Sequence, residues 1–125
     1  MEREVELARV IVFVKDLPRM ASFYTEDLGL PVVQDRAPEG WVELAAGGIA
    51  VALHAIPAQI AAGIVVTDPP RPREETPLKL VFRVADVAAA RARLLGRGVI
   101  MRELRPWGAC DGVDPEGNVF QIAQR

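Results

Sequence analysis

The chain contains two copies of one sequence pattern at a constant offset of 70 residues. Ile11 in the first copy corresponds to Val81 in the second, and Asp16 corresponds to Asp86. Each copy runs from an apolar, β-branched stretch through an aspartate into a helical pattern that ends at glycine. A repeat of this kind predicts one supersecondary unit used twice.

In each copy an apolar strand leads into a helix. Both alternating rows of the first strand, Val10–Val14, are apolar, so we expect this strand to be buried on both faces. Asp16 and Asp86 are placed to cap the helices by accepting hydrogen bonds from exposed backbone N–H groups. The apolar residues expected to face the core recur at helical spacing, and they are Leu17, Met20, Phe23, Tyr24 and Leu28 in the first helix and Val87, Ala90, Leu94 and Leu95 in the second.

Three short strands are predicted after each helix, with turn residues between them. In the first copy they cover Leu30–Arg36, Trp41–Ala45 and Ile49–Ala55, and in the second Val99–Leu104, a stretch near Gly108–Val113, and Asn118–Ala123. Each half is therefore βαβββ, which predicts an α+β fold. We assign a single domain to residues 1–125, with module 1 at about residues 5–56, a proline-rich linker at about 57–77, and module 2 at about 78–125.

Composition and charge exclude several classes of partner. The net charge is −2 with acids and bases interspersed, which gives no electrostatic basis for binding nucleic acid or an anionic membrane. No apolar run reaches the length of a membrane span, and the first residues lack the apolar core of a signal peptide. Cys110 is the single cysteine, so no intrachain disulfide or cysteine zinc site can form, and we expect a buried, unreactive thiol in a cytoplasmic protein.

The opening VKDLPRMASFY and the closing PWGACDGVDPEGN, together with the βαβββ repeat, resemble the vicinal oxygen chelate superfamily. That superfamily includes glyoxalase I, bleomycin-resistance proteins, fosfomycin-resistance enzymes and extradiol dioxygenases. The resemblance implies that each half curls its mixed sheet into an open cup. It also implies that paired halves line a cavity and that the protein is a homodimer.

In metal-using members, four strand positions supply the metal ligands. The resemblance assigns these positions to Arg9, to Lys79, to Gln121, and to either Ala52 or His54, which share a strand face. Permanent cations lack the lone pairs that a metal needs, and at an effective dielectric near 20 a unit charge and a dication about 5 Å apart repel by several kcal/mol. We therefore interpret the chain as a member that uses no metal and no other cofactor.

The candidate ligand-binding residues are Arg9, His54, Lys79, Trp107 and Gln121. Arg9 and Lys79 could form a cationic pair for an anionic ligand; alternatively, one of them pairs with Glu43 or Glu6, or both extend to solvent. Gln121 is expected to face the cavity as a neutral hydrogen-bonding group.

Trp107 and Trp41 could each stack on a planar ligand, or could pack in the core or at a dimer interface. Trp107 is expected to stack on a planar ligand, whereas Trp41 is expected to serve in packing. Asp111 could balance Arg9 or Lys79, or could only shape the turn before Gly112.

These residues predict a metal-free protein that binds a small organic molecule, anionic or aromatic, and shelters it. Sequestration of a drug or metabolite, as in bleomycin-resistance relatives, is the leading form of this hypothesis. The alternative is a lyase, isomerase or dioxygenase of the same superfamily. Such an enzyme would use a metal held by His54, Gln121 and a displaced carboxylate, or would use His54 as an acid–base group. A third hypothesis is an accessory or regulatory module whose cup is occluded.

Overall fold

The computed structural model describes residues 4–124, so residues 1–3 and 125 of the predicted domain lie outside the described residues. The chain divides into two compact units, one ending at Gly63 and the other beginning at Ile64. This boundary falls inside the segment that the sequence predicts to be the linker. Each unit contains one four-stranded sheet.

The first unit follows the βαβββ order. It contains β1 (Arg9–Val14), α1 (Leu17–Ser22) with a π-helical turn after it (Phe23–Asp27), β2 (Val32–Arg36), a 3-10 turn (Ala37–Glu39), β3 (Trp41–Ala46), β4 (Ile49–Ala55) and α2 (Ala58–Ala61). The strand order is β1-β4-β3-β2, in which β1 and β4 are parallel and the other pairs are antiparallel.

The second unit repeats this order. It contains β5 (Leu80–Arg83), α3 (Val87–Gly96), β6 (Ile100–Met101), β7 (Ala109–Val113) and β8 (Val119–Ala123). Its strands lie in the order β5-β8-β7-β6, again with one parallel pair, β5 with β8. The predicted α+β fold of two βαβββ repeats with open mixed sheets is confirmed. The strand predicted at Val99–Leu104 is shorter than expected, because only Ile100 and Met101 pair with β7.

Both predicted helix caps are present. The side chain of Asp16 accepts a hydrogen bond from the Arg19 backbone N–H at 3.2 Å, and that of Asp86 accepts from the Ala89 N–H at 3.0 Å. Each cap satisfies one of the backbone donors that a helix leaves free at its first turn. The aspartates therefore fix where each helix leaves its preceding strand.

Most of the predicted helix-face residues are buried, whereas Leu28 and Ala90 are half-buried and Leu95 is exposed. Val87 and Leu94 of α3 are buried, but Leu95 is 43% exposed, so the prediction that Leu95 faces the core is wrong. Successive helical residues point about 100° apart, and a short helix over one sheet buries a narrow stripe that holds only one of two adjacent leucines. Among the described helices, none is long and apolar enough to cross a membrane.

The first strand is buried on one face only, which corrects the prediction that both of its faces are buried. Val14 is fully buried, whereas Ile11 is 42% and Phe13 is 60% exposed. Apolar residues on both rows of a strand do not by themselves require burial, because one row can line an open surface. The exposed row contains Arg9, and this places the first candidate residue on the open side of its sheet.

Candidate functional site

Four of the five candidate residues, Arg9, His54, Lys79 and Gln121, lie at one face of each sheet, whereas Trp107 lies in the loop before β7; we call these faces the first and second open faces. The first open face comprises Arg9, Ile11, Phe13, Trp41, Glu43, Ala52 and His54. The second comprises Val81, Ala109, Asp111, Gln121 and Ala123, together with Lys79 immediately before β5.

The strand register decides which residue of β4 corresponds to Gln121. Ile11 is paired with Ala52, and the repeat-related Val81 is paired with Gln121. Ala52 and Gln121 therefore occupy equivalent places, and His54 lies two residues further along its strand. Sequence alone left Ala52 and His54 unresolved at this position, because alternate residues of a strand share a face.

Each open face contains an ion pair between a strand-start cation and a carboxylate. Arg9 Nε lies 3.6 Å from Glu43 Oε1, and Lys79 Nζ lies 3.0 Å from Asp111 Oδ2. Both cations are thus balanced by an acid within their own unit, which was the alternative to a cationic pair. The Arg9 and Lys79 side chains are 46% and 43% exposed, so both also reach solvent.

Asp111 is the centre of a buried hydrogen-bond network on the second open face. It is only 5% exposed; Lys79 Nζ donates to its Oδ2, and Gln121 Nε2 donates to its Oδ1, each at 3.0 Å. Burial by itself raises the pKa of Asp111, but the hydrogen bonds from Gln121 and Lys79 and the charges of Lys79 and Arg102 outweigh it and lower that pKa. Asp111 is therefore a carboxylate with a donor on each oxygen.

An open groove on the second unit brings together two of the predicted site residues, Trp107 and Gln121. Its volume is about 560 Å³, and it is lined by Pro106, Trp107, Gly108, Ala109, Gln121, Ala123 and Gln124. Trp107 is 70% exposed, and the Arg105 guanidinium carbon lies 5.4 Å from its ring centroid. The groove therefore offers an accessible indole, small apolar side chains and amide groups.

Lys79 lines a second and smaller recess in the same unit. The recess has a volume of about 190 Å³ and is lined by Arg73, Glu74, Thr76, Pro77, Leu78, Lys79, Arg102 and Val119. An ion pair between Arg102 and Glu74 lies at this recess. Lys79 thus lines a different recess from the groove of Trp107 and Gln121. Its ammonium group nevertheless donates to Asp111, which also accepts a hydrogen bond from Gln121.

His54 lies in a row of rings on the first open face. Its ring centroid is 5.6 Å from that of Phe13 and 5.5 Å from that of Trp41, and both residues are its register neighbours. The Trp41 ring, expected to serve in packing, therefore lies beside a candidate residue. Phe13 was not among the candidate residues predicted from the sequence. Its position in the same alternating row as Arg9 and Ile11 could have indicated that it lies on the open face.

Cys110 is fully buried, and its Sγ lies 3.1 Å from the Arg102 carbonyl oxygen. Burial raises the pKa of the Cys110 thiol in spite of the nearby Arg91 guanidinium. A buried thiol with a raised pKa is a poor nucleophile, which agrees with the expected unreactive side chain.

The metal-ligand positions of the superfamily hold a poor set of donors in this chain. They are Arg9 and Ala52 in the first unit and Lys79 and Gln121 in the second, which leaves one neutral amide oxygen as a donor. Within residues 4–124, no group of three or more His, Cys, Asp or Glu side chains has an arrangement that could hold a metal ion. Zinc and similar ions require three or four strong ligands, and these four side chains do not fit one.

Comparison with known proteins gives a match to the glyoxalase-like domain, which covers residues 9–123. No curated protein matches the chain. Solved structures, however, match it over nearly its whole length.

Two of these structures come from Streptomyces sp. CB03234. TnmS3, an antibiotic binding protein, is 26% identical, with a TM-score of 0.68 and coverage of 98% of each chain. A glyoxalase/bleomycin resistance protein is 28% identical, with a TM-score of 0.64 and coverage of 95% of this chain and 100% of that one. A trypanothione-dependent glyoxalase I from Leishmania major is 21% identical, with a TM-score of 0.69 and coverage of 96% and 86%, so it shares the fold alone.

Proposed function

Because this chain belongs to the family of the glyoxalase-like domain, we propose that it binds a small organic molecule without a metal ion and shelters it from solvent. The observation that carries the proposal is the groove that joins the exposed Trp107 ring to the Gln121 amide. Similarity to an antibiotic binding protein and to a glyoxalase/bleomycin resistance protein supports the same class of ligand.

The groove contains what a site for a planar molecule needs. Trp107 supplies a large, exposed aromatic surface, and Ala109 and Ala123 supply a narrow apolar wall. Stacking on an aromatic ring contributes about 0.5–1.5 kcal/mol beyond the area that it buries. Gln121 adds a polar group that orients the ligand, in keeping with small-molecule sites that combine apolar walls with a few polar groups.

The metal-free part of the proposal rests on donor chemistry. Two of the four superfamily positions hold cations in ion pairs and a third is Ala52, so only Gln121 has an oxygen to offer. Elemental analysis of protein purified without a histidine tag tests this directly. We expect less than stoichiometric Zn, Ni, Mn and Fe and no saturable thermal stabilisation by these ions; one metal ion per chain would overturn this part.

Ligand binding is tested by quenching of tryptophan fluorescence with planar aromatic compounds, followed by mass spectrometry of the recovered compound. We expect saturable quenching at one compound per chain, loss of that quenching in Trp107→Ala, and recovery of the compound unchanged. The absence of saturable quenching across such compounds would overturn the proposal.

The enzymatic alternative predicts a different result in the same experiment. His54 is half-buried between the Phe13 and Trp41 rings, which is a suitable setting for an acid–base group facing an aromatic substrate. A lyase, isomerase or dioxygenase would convert the compound, and conversion that disappears in His54→Ala would establish the alternative. Within residues 4–124 no carboxylate pairs with His54 to orient its ring, which favours shelter over catalysis.

We also propose that the protein acts as a homodimer in the cytoplasm. The exposed apolar side chains Ile11, Phe13 and Val81 support an interface that covers part of the open faces. The single buried thiol, Cys110, is compatible with a reducing compartment. Sedimentation equilibrium at micromolar concentration should give twice the chain mass, and a monomer there would contradict the dimer.

A further inference from the structure

We propose that the Trp107 groove selects planar aromatic molecules that donate a hydrogen bond, such as rings bearing a hydroxyl or amino group. Asp111 sets this preference, because it fixes the direction in which the Gln121 amide points. The proposal rests on the ligand binding proposed above and names the chemical class of the ligand.

The Gln121 side chain has one favoured orientation. Gln121 Nε2 lies 3.0 Å from Asp111 Oδ1. An ionised carboxylate only accepts hydrogen bonds, so the amide must turn its NH₂ group towards Asp111. The reversed orientation would hold two oxygen acceptors at that distance, which is repulsive. The network therefore leaves the other arm of the amide, the Oε1 oxygen, pointing away from Asp111.

The Oε1 oxygen of Gln121 is also accessible. Within residues 4–124, Gln121 makes no side-chain hydrogen bond other than the one to Asp111, and no buried side-chain nitrogen or oxygen lacks a partner. It follows that Oε1 is not buried, and Gln121 is part of the groove lining. The groove therefore presents a hydrogen-bond acceptor whose natural partner is a ligand O–H or N–H.

The charges around Gln121 also favour a neutral donor. The ammonium group of Lys79 donates to the second oxygen of Asp111 at 3.0 Å, and Lys79 does not line this groove. Arg105 is the cation beside the groove, and its guanidinium carbon lies 5.4 Å from the Trp107 ring centroid. At Gln121 itself, an anionic group would thus meet the Oε1 acceptor while the nearby Lys79 charge is held by Asp111, whereas a neutral donor would gain a hydrogen bond.

The test uses Trp41→Phe protein, in which Trp107 is the sole tryptophan and reports binding by fluorescence quenching. The probes are 2-naphthol, 2-methoxynaphthalene and 2-naphthoate, which share one ring system and differ in the polar group. A net hydrogen bond stabilises by about 1 kcal/mol, so we expect 2-naphthol to bind roughly five- to tenfold more tightly than 2-methoxynaphthalene, with 2-naphthoate weakest.

Two variants separate the positioning role of Asp111 from stacking. In Asp111→Asn the neutral amide at position 111 can donate or accept, so Gln121 can turn either way, and the ratio of the 2-naphthol and 2-methoxynaphthalene affinities should fall to near one. Gln121→Leu should also abolish the preference for 2-naphthol, because leucine has no hydrogen-bond acceptor. Stacking on Trp107 should keep 2-naphthol and 2-methoxynaphthalene bound in each variant, and circular dichroism checks that each variant is folded.

The outcomes distinguish this inference from the proposed function beneath it. Equal affinities for 2-naphthol and 2-methoxynaphthalene in the reporter protein would overturn the donor preference but leave ligand binding intact. A preference that survives in both variants would overturn the role of Asp111 and Gln121. No quenching by any of the three probes would overturn the proposed binding function itself.

Discussion

Glu43 and Asp111 occupy equivalent places in the two halves of the chain, and each forms an ion pair with the cation that begins its own sheet. The two pairs differ in burial and in geometry. The Glu43 side chain is 15% exposed and lies 3.6 Å from Arg9, whereas that of Asp111 is 6% exposed and lies 3.0 Å from Lys79. The second half thus keeps the tighter and more desolvated pair.

This difference predicts unequal effects of removing the two cations. Arg9→Met breaks a longer pair, at 3.6 Å, whose arginine side chain is 46% exposed, so the free energy of unfolding should change by less than about 1 kcal/mol. Among residues 4–124, Lys79→Met leaves the buried Asp111 carboxylate with Gln121 as its remaining side-chain donor, and it should cost about 1–3 kcal/mol. Urea denaturation of both variants measures the difference, and a larger loss for Arg9→Met would contradict it.

Acid should weaken the fold partly through Asp111. Its pKa in the folded chain lies below the ordinary value of 3.8, so its ionised form contributes stability at pH values above that figure. That contribution is lost as the pH falls through the lowered pKa. We expect the free energy of unfolding to decline as the pH falls below about 4, and to decline less steeply in Asp111→Asn. Equal slopes in the two proteins would show that the Asp111 pKa is unshifted.

Asp114 organises the turn between β7 and β8. It is fully buried and accepts hydrogen bonds from the Glu116 N–H at 2.9 Å, the Asn118 N–H at 3.0 Å and Asn118 Nδ2 at 2.8 Å. Asp114→Ala leaves these donors without their acceptor and should cost about 2–4 kcal/mol in thermal or urea unfolding. The matched control is Asp35→Ala, since exposed Asp35 accepts a hydrogen bond from the Ala37 N–H at 3.0 Å. This control should lose less than about 1 kcal/mol of unfolding free energy.

Gly112 in β7 leaves no room for a side chain. A Cβ there would lie 2.5 Å from Phe120 Cζ and 2.6 Å from Met101 Sδ. Gly112→Ala should therefore destabilise the second unit by about 1–3 kcal/mol through overpacking. Gly48→Ala is the control, because nothing lies within 4 Å of a Cβ at that position. Similar unfolding midpoints for the two variants would contradict close packing at Gly112.

Trp107 should matter for binding rather than for folding. Its side chain is largely exposed, so Trp107→Ala should change the free energy of unfolding by less than about 1 kcal/mol. The same substitution should weaken 2-naphthol binding at least tenfold, measured by equilibrium dialysis, because it removes the stacking surface of the groove. A loss of folding stability comparable to that of Asp114→Ala would indicate a structural role instead.

The fold could be predicted because its signals are local. Asp16 and Asp86 cap their helices through hydrogen bonds to residues three positions away, so the sequence contains both partners together. The repeat then supplies the topology, since a strand–helix–strand unit used twice has few ways to bury its apolar faces.

The candidate site depends on contacts that the sequence does not specify. Whether Arg9 meets Glu43, and whether Ala52 or His54 corresponds to Gln121, is decided by strand register, which shifts every side chain if it slips by one residue. The exposure of Phe13 was missed for a related reason. An apolar residue on a strand looks the same in sequence whether it faces a helix or an open surface.

The parallel pairing of first and last strands has a consequence for how the chain folds. Ile11 pairs with Ala52, and Val81 pairs with Gln121. The strand pairing that completes each sheet therefore joins residues about forty positions apart. Neither sheet can be completed until its entire half has left the ribosome, and because loop closure over such distances is slow, this step should limit the folding rate. The amino-terminal half can nevertheless complete its hydrogen-bonded ladder while the other is still being translated, which shortens the time that its edges stay open to wrong partners.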